Sequence, residues 1–157
     1  MKGLPEMIIT GGQSGADLGA LRAGITLGFI PGVSLGGYMP KGFRTEYGDR
    51  VWMKARYGCQ EHSSRDYQPR TRANVQWADQ TLIFGNVESP SSQLTLHACQ
   101  DAKKPYWVNP PRDILESLGW GIVNVAGNRE SGNRGIEAYV HWYLSVAWGS
   151  QACWRRQ

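Results

Sequence analysis

The spacing of apolar residues changes repeatedly along the chain, and each change predicts a new element. Met7 to Thr10 is a short β-branched run, which predicts a buried strand. From Leu18 onward the apolar residues recur at helical spacing, so a helix follows the glycine-rich break between them. The later pattern predicts strands near residues 30–33 and in "QTLIFG", "PYWVN" and "GIVNVAG", and helices in "RTRANVQWAD", "SPSSQLTLHACQDAKK", "PPRDILESLGW" and from about 134 to 148.

This alternation of strands and helices predicts an α/β fold. We expect a Rossmann-like three-layer sandwich, with a mostly parallel sheet and helices on both faces. With 157 residues, the chain is predicted to form a single domain, 1–157. In such a sheet, ligands bind beyond the carboxyl ends of the strands. The polar loops that follow the strands should meet there: "GGQSGAD", "GGYMPKGFR", "GNVESPSSQ" and "AGNRESGNRG".

The first of these loops predicts an anion site. Its glycines permit positive φ and close approach to the backbone, Ser14 is a candidate N-cap, and Asp17 would lie in the first helical turn. The backbone N–H groups of residues 11–15 would then surround a phosphate. The dinucleotide template G-x-G-x-x-G is met only in part, so a tight turn without a ligand is the alternative. The candidate contacts are Gly11, Gly12, Gln13, Ser14, Gly15 and Asp17.

Positive charge is concentrated in one segment of the chain. Residues 41–72 hold eight basic and four acidic residues, and the remaining residues hold nine of each. Such a segment attracts an anionic ligand, although a solvated arginine-rich loop is the alternative. The candidate contacts in it are Lys41, Gly42, Arg44, Arg70, Thr71 and Asn74.

The loop after the last predicted strand carries four different polar groups in succession. Asn128, Arg129, Glu130 and Ser131 supply an amide, a guanidinium, a carboxylate and a hydroxyl. They either contact the ligand directly, or Arg129 and Glu130 form ion pairs that support the site.

Several other kinds of site and location are disfavoured. Cys59, Cys99 and Cys153 are odd in number and include no C-x-x-C pair, which is typical of free thiols in a reducing cytoplasm. Cys59-x-x-His62 is a single pair, too few ligands for a structural metal. The histidines have no serine or cysteine motif beside them, so no nucleophilic triad is indicated. Without a signal-like segment or a run of 18 apolar residues, we expect neither secretion nor a membrane span.

The C-terminal helix combines aromatic and basic residues. Its spacing predicts that Tyr139, Tyr143 and Val146 pack on the sheet, while Trp142 and Trp148 lie on other sides. This excess of apolar surface favours a homo-oligomer interface over nucleic-acid binding.

Five ordered motifs resemble the molybdenum cofactor carrier protein family, within the Rossmann-like, lysine-decarboxylase-like (LOG/SLOG) superfamily. They span about residues 7–136 and are "IITGGQSGAD", "GGYMPKGFR", "RDYQPRTRANV", "ADQTLIF" and "VNVAGNRESGNRGI". The resemblance implies a cytoplasmic, usually oligomeric protein that holds the molybdenum cofactor by its pterin, phosphate and molybdate ends. By the same resemblance, "GGQSGAD" and "PKGFR" would contact anionic groups and "NRES" would complete the pocket.

The chain departs from that family's pattern at one loop. Where such proteins often have Gly-Gly-Thr, this chain has "SPSSQLT", which supplies side-chain groups in place of exposed backbone. The superfamily's hydrolase signature P-G-G-x-G-T-x-x-E is missing, together with its catalytic glutamate. The candidate ligand contacts in this loop are Ser91, Ser92, Gln93 and Thr95.

Two functions therefore remain open. The first is a non-catalytic carrier of a phosphate-bearing, pterin- or nucleotide-like small molecule, with the molybdenum cofactor indicated by the resemblance. The alternative is a protein that binds, sequesters or cleaves an ADP-ribose-type nucleotide at its N-glycosidic bond. Cleavage needs a carboxylate to stabilise positive charge on the ribose, and the candidates are Asp17, Glu46, Asp66 and Glu130.

Overall fold

The computed structural model describes residues 4–117 and 120–155, with side chains described as far as residue 149. Its strands are β1 (Met7–Thr10), β2 (Leu35–Met39), β3 (Arg44–Thr45), β4 (Gly48–Asp49), β5 (Cys59–Glu61), β6 (Gln80–Phe84), β7 (Tyr106–Val108) and β8 (Ile122–Gly127). Six of them form one sheet in the order β5-β2-β1-β8-β6-β7, in which every neighbouring pair is parallel. β3 and β4 form a separate antiparallel hairpin.

The helices cover both faces of this sheet. They are α1 (Ala16–Thr26), α2 (Met53–Tyr57), α3 (Tyr67–Trp77), α4 (Pro90–Ala102), α5 (Arg112–Ser117) and α6 (Ile136–Arg155). Successive side chains of a strand point to opposite faces of the sheet, so alternate residues of β8 lie against different helices. Val123 and Val125 belong to the main apolar cluster with residues of α1 and α6. Asn124 and Ala126 line a cavity with residues of α3 and α4. The predicted α/β three-layer architecture is confirmed.

The second strand lies later in the chain than predicted. It begins at Leu35, and in the predicted segment only Pro31 forms a bridge, to Leu35. Gly37 within this strand is required by the sheet. Gly37 has φ of 120°, and a Cβ on it would lie 2.0 Å from the carbonyl oxygen of Thr10 on β1. Only glycine permits strands β1 and β2 to approach each other in this way.

The buried face of α6 also differs from the prediction. Val140, Leu144 and Trp148 form the buried stripe, with the expected four-residue spacing. Tyr139 and Val146, which were expected to face the sheet, are 48% and 38% exposed. The prediction for these two residues was wrong, and so was the prediction that Trp148 lies on another side of the helix, because Trp148 is fully buried. Apolar residues occur around most of the helix, so periodicity alone does not identify the buried side.

Two of the three cysteines lie among the described side chains. Cys59 and Cys99 are buried free thiols, and burial raises the pKa of Cys59 to about 12. Cys153 lies outside the described side chains.

Among the described helices, none combines the length and apolar character that crossing a bilayer requires.

Candidate functional site

The glycine loop after β1 folds so that its own side chains bind its backbone. The N–H of Gly12 donates to Thr10 Oγ1 at 3.0 Å, and the N–H of Gln13 donates to Asp17 Oδ2 at 3.1 Å. The N–H of Ser14 donates to Gln13 Oε1 at 3.1 Å. Three of the N–H groups that we expected to surround a phosphate therefore already have protein acceptors. At these residues the loop is not an open amide cradle, which corrects the prediction.

Asp17 is the carboxylate that this loop encloses. It is only 6% exposed, and burial raises the pKa of Asp17 to about 6. The charges of Arg70 and Arg129 and the Gln13 N–H act in the opposite direction but do not outweigh burial. Asp17 thus supplies a negative group at the position where a phosphate-binding loop would receive its ligand.

The prediction that Ser14 caps α1 is wrong. Gly15 is the N-cap residue, with φ of 81° and ψ of −128°, and no side chain caps the helix. The hydroxyl of Ser14 instead donates to Glu46 and accepts from the N–H of Glu130 at 3.1 Å. It joins three segments that are distant in sequence.

A cavity of about 240 Å³ opens at the carboxyl ends of β1 and β8, between α3 and α4. This is the position that the fold class predicts for a ligand, because the strand order reverses there. Its lining includes nine of the predicted contacts: Gly11, Gln13, Asp17, Arg70, Thr71, Asn74, Ser91, Thr95 and Arg129. The lining does not include the other eleven: Gly12, Ser14, Gly15, Lys41, Gly42, Arg44, Ser92, Gln93, Asn128, Glu130 and Ser131.

Arg70 lies directly over the glycine loop. A Cβ on Gly11 would lie 2.7 Å from Arg70 Cζ, so glycine makes room for the guanidinium. Nη1 of Arg70 donates to Thr71 Oγ1, and that hydroxyl donates to the carbonyl of Tyr67 at 2.9 Å. Burial lowers the pKa of Arg70, and the charge of Asp17 opposes this shift. A desolvated guanidinium thus lies at the wall of the cavity.

Two polar atoms at this cavity are buried without a hydrogen-bond partner. They are Nε2 of Gln13 and Nε of Arg70. A third such atom among the described residues, Oγ of Ser145, lies on α6 and does not line the cavity. Buried donors without partners are rare in folded proteins and carry an energetic cost. Both donors would gain a partner if a molecule in the cavity supplied hydrogen-bond acceptors.

Asn74 has a structural role that its sequence position did not reveal. Its Oδ1 accepts from the N–H of Tyr38 at 2.8 Å, and its Nδ2 donates to the carbonyls of Tyr38 and Thr10 at 3.0 and 3.3 Å. Although Asn74 lines the cavity, its polar atoms tie α3 to β2 and β1. It therefore positions Arg70, one helical turn earlier on the same helix.

The predicted contacts in the loop after β6 and the first turns of α4 also fall into two groups, those that stabilise the structure and those that line the cavity. Ser92 Oγ accepts from Asn128 Nδ2 at 3.2 Å, and Gln93 Nε2 donates to the carbonyl of Val87 at 2.8 Å. Both residues stabilise the loop itself. Ser91 and Thr95, one turn apart on α4, present their side chains at the cavity.

The "PKGFR" segment lies mostly away from the cavity. The N–H of Gly42 donates to Glu61 Oε2 at 2.8 Å, and Lys41 is exposed. Arg44 is the member that approaches the lining, because its Cζ lies 4.6 Å from the centroid of the Tyr67 ring.

The two carboxylates beside the cavity hold the loops that frame it. Glu130 accepts from the N–H groups of Gly135 and Glu137 at 2.7 and 3.0 Å, so it caps the start of α6. Glu46 accepts from the hydroxyls of Ser14 and Ser131 and from the Ser131 N–H at 3.2 Å. In the described part of the chain, no salt bridge joins Arg129 to Glu130. Glu130 instead accepts its hydrogen bonds from backbone N–H groups.

Replacing Glu46 with Gln is expected to loosen this frame. Burial alone would raise the pKa of Glu46, but hydrogen bonds from Ser131 and Ser14 hold it below its ordinary value. Ionised Glu46 therefore stabilises the fold above its unfolded-state pKa, and this contribution is lost as pH falls through the folded-state pKa. We expect Glu46→Gln to lower the free energy of unfolding by about 1–2 kcal/mol at pH 7 in urea titrations.

A suitable control for that variant is Glu88→Gln, in the exposed loop after β6. It should change the free energy of unfolding by less than about 0.5 kcal/mol at pH 7. The difference between the two variants should shrink as pH falls through the folded-state pKa of Glu46. A deficit of the Glu46 variant that stays constant over the whole acid titration would contradict the charge-based explanation.

The sequence model of the circularly permutated YpsA SLOG family matches residues 8–148. The chain belongs to this family. The matched range includes β1, the glycine loop, α3 and β8, so it contains every residue that lines the cavity. The superfamily resemblance read from the motifs is confirmed, and with it a ligand-binding role.

A solved relative has the same fold over nearly its whole length. It is the crystal structure of a protein named "Putative molybdenum carrier protein", from Syntrophus aciditrophicus SB. The two chains superpose with a TM-score of 0.81 and 29% sequence identity, over 94% of this chain and 97% of the other. A comparison with curated proteins finds no match.

The motifs of this SLOG chain did not indicate six residues of the cavity lining, of which Tyr67 and Asn124 carry polar side-chain atoms. Tyr67 is the first residue of α3, and Asn124 is the polar residue within an otherwise apolar β8. Asn124 is 3% exposed and donates to Thr81 Oγ1 at 3.4 Å. A buried amide inside an apolar strand run was a usable signal in "GIVNVAG". For Tyr67 the only signal was an aromatic residue between Arg65 and Arg70.

Metal ligands are not gathered at the site. Among the residues described, no group of three His, Cys, Asp or Glu side chains is placed to hold a metal ion. His62 Nδ1 accepts from the N–H of Ser64 at 3.1 Å. The groups that the cavity offers are guanidinium, amide, hydroxyl and carboxylate, which suit an organic, oxygen-rich ligand.

Proposed function

We propose that this protein is a non-catalytic binding protein for a phosphate-bearing small molecule with a pterin- or nucleotide-like ring. The observation that carries the proposal is the pair of buried, unpartnered donors at one cavity, Gln13 Nε2 and Arg70 Nε. Both donors lie where open α/β sheets bind ligands. The surrounding hydroxyls and amides offer further hydrogen bonds to heteroatoms of such a ring.

Within this class, the molybdenum cofactor is the first candidate. The solved relative is named as a molybdenum carrier, and it matches this chain over nearly its whole length. The cavity donors suit the pterin and phosphate parts of that cofactor. The carried molecule would be cargo rather than a catalytic group.

The test is native mass spectrometry of freshly purified protein, followed by denaturation and identification of the released molecule. We expect one bound small molecule that contains a pterin or a nucleotide. Ser91→Phe places a ring in the cavity and should abolish the bound mass, since Ser91 lines it. His97→Phe, on the exposed side of the same helix, should retain it. Wild type purified with no bound mass, and none gained after incubation with pterin phosphates or nucleotides, would contradict the proposal.

A second candidate is an ADP-ribose-type nucleotide, bound, sequestered or cleaved at its N-glycosidic bond. The observation that favours it is the buried carboxylate of Asp17 at the cavity. Such a group accepts hydrogen bonds from ribose hydroxyls and can stabilise positive charge on the sugar. Incubation with a nucleotide panel distinguishes the two functions. Intact, bound nucleotide indicates binding or sequestration, and a released base indicates hydrolysis.

We further propose a cytoplasmic homo-oligomer. Trp142 and Tyr139 on α6 are 59% and 48% exposed and lie side by side, with ring centroids 6.1 Å apart. Exposed aromatic pairs of this kind are typical of protein interfaces. Light scattering coupled to size exclusion should give a mass above that of one chain, and Trp142→Glu should lower it.

A further inference from the structure

Three guanidinium groups surround the ring of Tyr67. Cζ of Arg44 and Cζ of Arg129 each lie 4.6 Å from its centroid, and Cζ of Arg70 lies 5.4 Å from it. The arginines come from β3, from the loop after β8 and from α3, so they are far apart in sequence. Cation–π attraction to one ring holds them together at the edge of the cavity.

The charges of these arginines are left largely uncompensated by the protein. The described part of the chain contains four salt bridges, and none of them includes Arg44, Arg70 or Arg129. The charge of Asp17 acts on Arg70 and Arg129. Asp49 is near Arg44, but it is already paired with Arg65 at 3.1 Å. Three positive groups thus face one available carboxylate.

We propose that Arg44, Arg70 and Arg129 around Tyr67 form the phosphate subsite of the ligand, and that this subsite takes a dianionic group. A phosphate monoester and a pyrophosphate diester share that chemistry. The inference rests on the proposed function and deepens it. Arginine forks bind phosphate oxygens in pairs, and two negative charges complement the net charge of the cluster.

The glycine loop supports this division of the site. A phosphate needs free donors, and the N–H groups of Gly12, Gln13 and Ser14 already donate to protein acceptors. A second negative group beside Asp17 would also be repelled by it. The loop therefore faces the uncharged ring or sugar of the ligand. The buried Nε of Arg70 has no hydrogen-bond partner among the described protein atoms.

Matched pairs of charged and uncharged probes test the subsite by calorimetry. The probes are adenosine with its charged counterparts AMP and ADP-ribose, and 6-hydroxymethylpterin with its monophosphate. For the pair whose ring fits, we expect the charged member to bind at least tenfold more tightly. Comparison of AMP with ADP-ribose shows whether a monoester or a diester is preferred.

Arg129→Gln and Arg44→Gln should each reduce that ratio about tenfold and leave the affinity of the uncharged member unchanged. Arg72→Gln is the control, because Arg72 lies on α3 and pairs with Asp101 at 2.9 Å. It should bind all probes as wild type does. Thermal unfolding of each variant checks that the fold is retained.

The possible failures are distinguishable. If charged and uncharged members bind wild type equally, or if the ratio is the same in both variants as in wild type, the arginine subsite is overturned and the binding function stands. If no member of either pair binds wild type, the proposed function is overturned together with the subsite.

Discussion

Gly15→Ala should destabilise the protein by about 3–5 kcal/mol and abolish ligand binding. Gly15 has φ of 81° and ψ of −128°, a conformation that alanine adopts only with strain. A Cβ there would lie 2.3 Å from the carbonyl oxygen of Asn128 and 2.6 Å from the nitrogen of Glu130. Because both contacts are backbone atoms, the loops after β1 and β8 would have to separate. Urea unfolding at pH 7 measures the loss.

Gly28→Ala is the matched control for this substitution. Gly28 follows α1 with φ of 88°, and a Cβ on it would have no atom within 4 Å. It therefore carries the strain of positive φ without the collision, and we expect a loss of about 1–2 kcal/mol. The difference between the two variants gives the energy of the loop contact. Equal losses would show that the backbone conformation alone, and not the contact with residues 128–130, requires glycine.

Asp17→Asn should stabilise the protein at pH 8 by about 2 kcal/mol. The ordinary pKa of this carboxyl is 3.8, and in the fold the pKa of Asp17 is about 6. The folded protein therefore binds the proton more tightly, and its free energy of unfolding falls as pH rises through the interval between these values. The difference between these pKa values, which already includes the attraction of Asp17 to Arg70, corresponds to about 3 kcal/mol at pH 8. The Asn amide replaces the carboxyl imperfectly as acceptor of the Gln13 N–H, which reduces the expected gain to about 2 kcal/mol.

The sign of this effect is tested by its dependence on pH. At pH 3, where Asp17 is protonated in both states, variant and wild type should differ by less than about 0.5 kcal/mol. Asp101→Asn, an exposed carboxylate paired with Arg72, should show no comparable trend. A difference that is constant from pH 3 to pH 8 would contradict the raised pKa. A stabilised variant with weakened ligand binding would show that this carboxylate is kept for function at the expense of stability.

The architecture was predictable because its signals are local. Met7–Thr10, "QTLIF" and "GIVNVAG" are apolar strand runs, and helical spacing separates them, so the parallel sheet followed from pattern alone. The position of the site followed from the sheet, since parallel strands share one carboxyl edge. The second strand was misplaced because Gly36 and Gly37 have low strand propensity. They are required by tertiary contacts, Gly36 with the backbone of Gly58 and Gly37 with the backbone of Thr10 on β1.

Which polar residues face the cavity and which hold its walls could not be predicted from the sequence. Whether a glycine loop exposes its N–H groups depends on where the side chains of Gln13 and Asp17 turn, which the spacing of glycines does not determine. The cluster around Tyr67 joins residues 44, 70 and 129, and only the tertiary fold brings them together. Residue type correctly identified polar contacts. It did not separate those that face the cavity from those, such as Asn74, that hold its walls.

The strand order also determines when the site can form during synthesis. Of the strands that the structure describes, β8 is the latest in chain order, yet it lies at the centre of the sheet between β1 and β6. Until residue 127 has left the ribosome, the unit β5-β2-β1 and the unit β6-β7 have no strand to join them, and Ile9 and Leu82 remain at open edges. Such late, long-range pairing slows folding and exposes unfinished chains to aggregation. The six-stranded sheet, and with it the cavity at its carboxyl edge, therefore forms only after β8 has been synthesised.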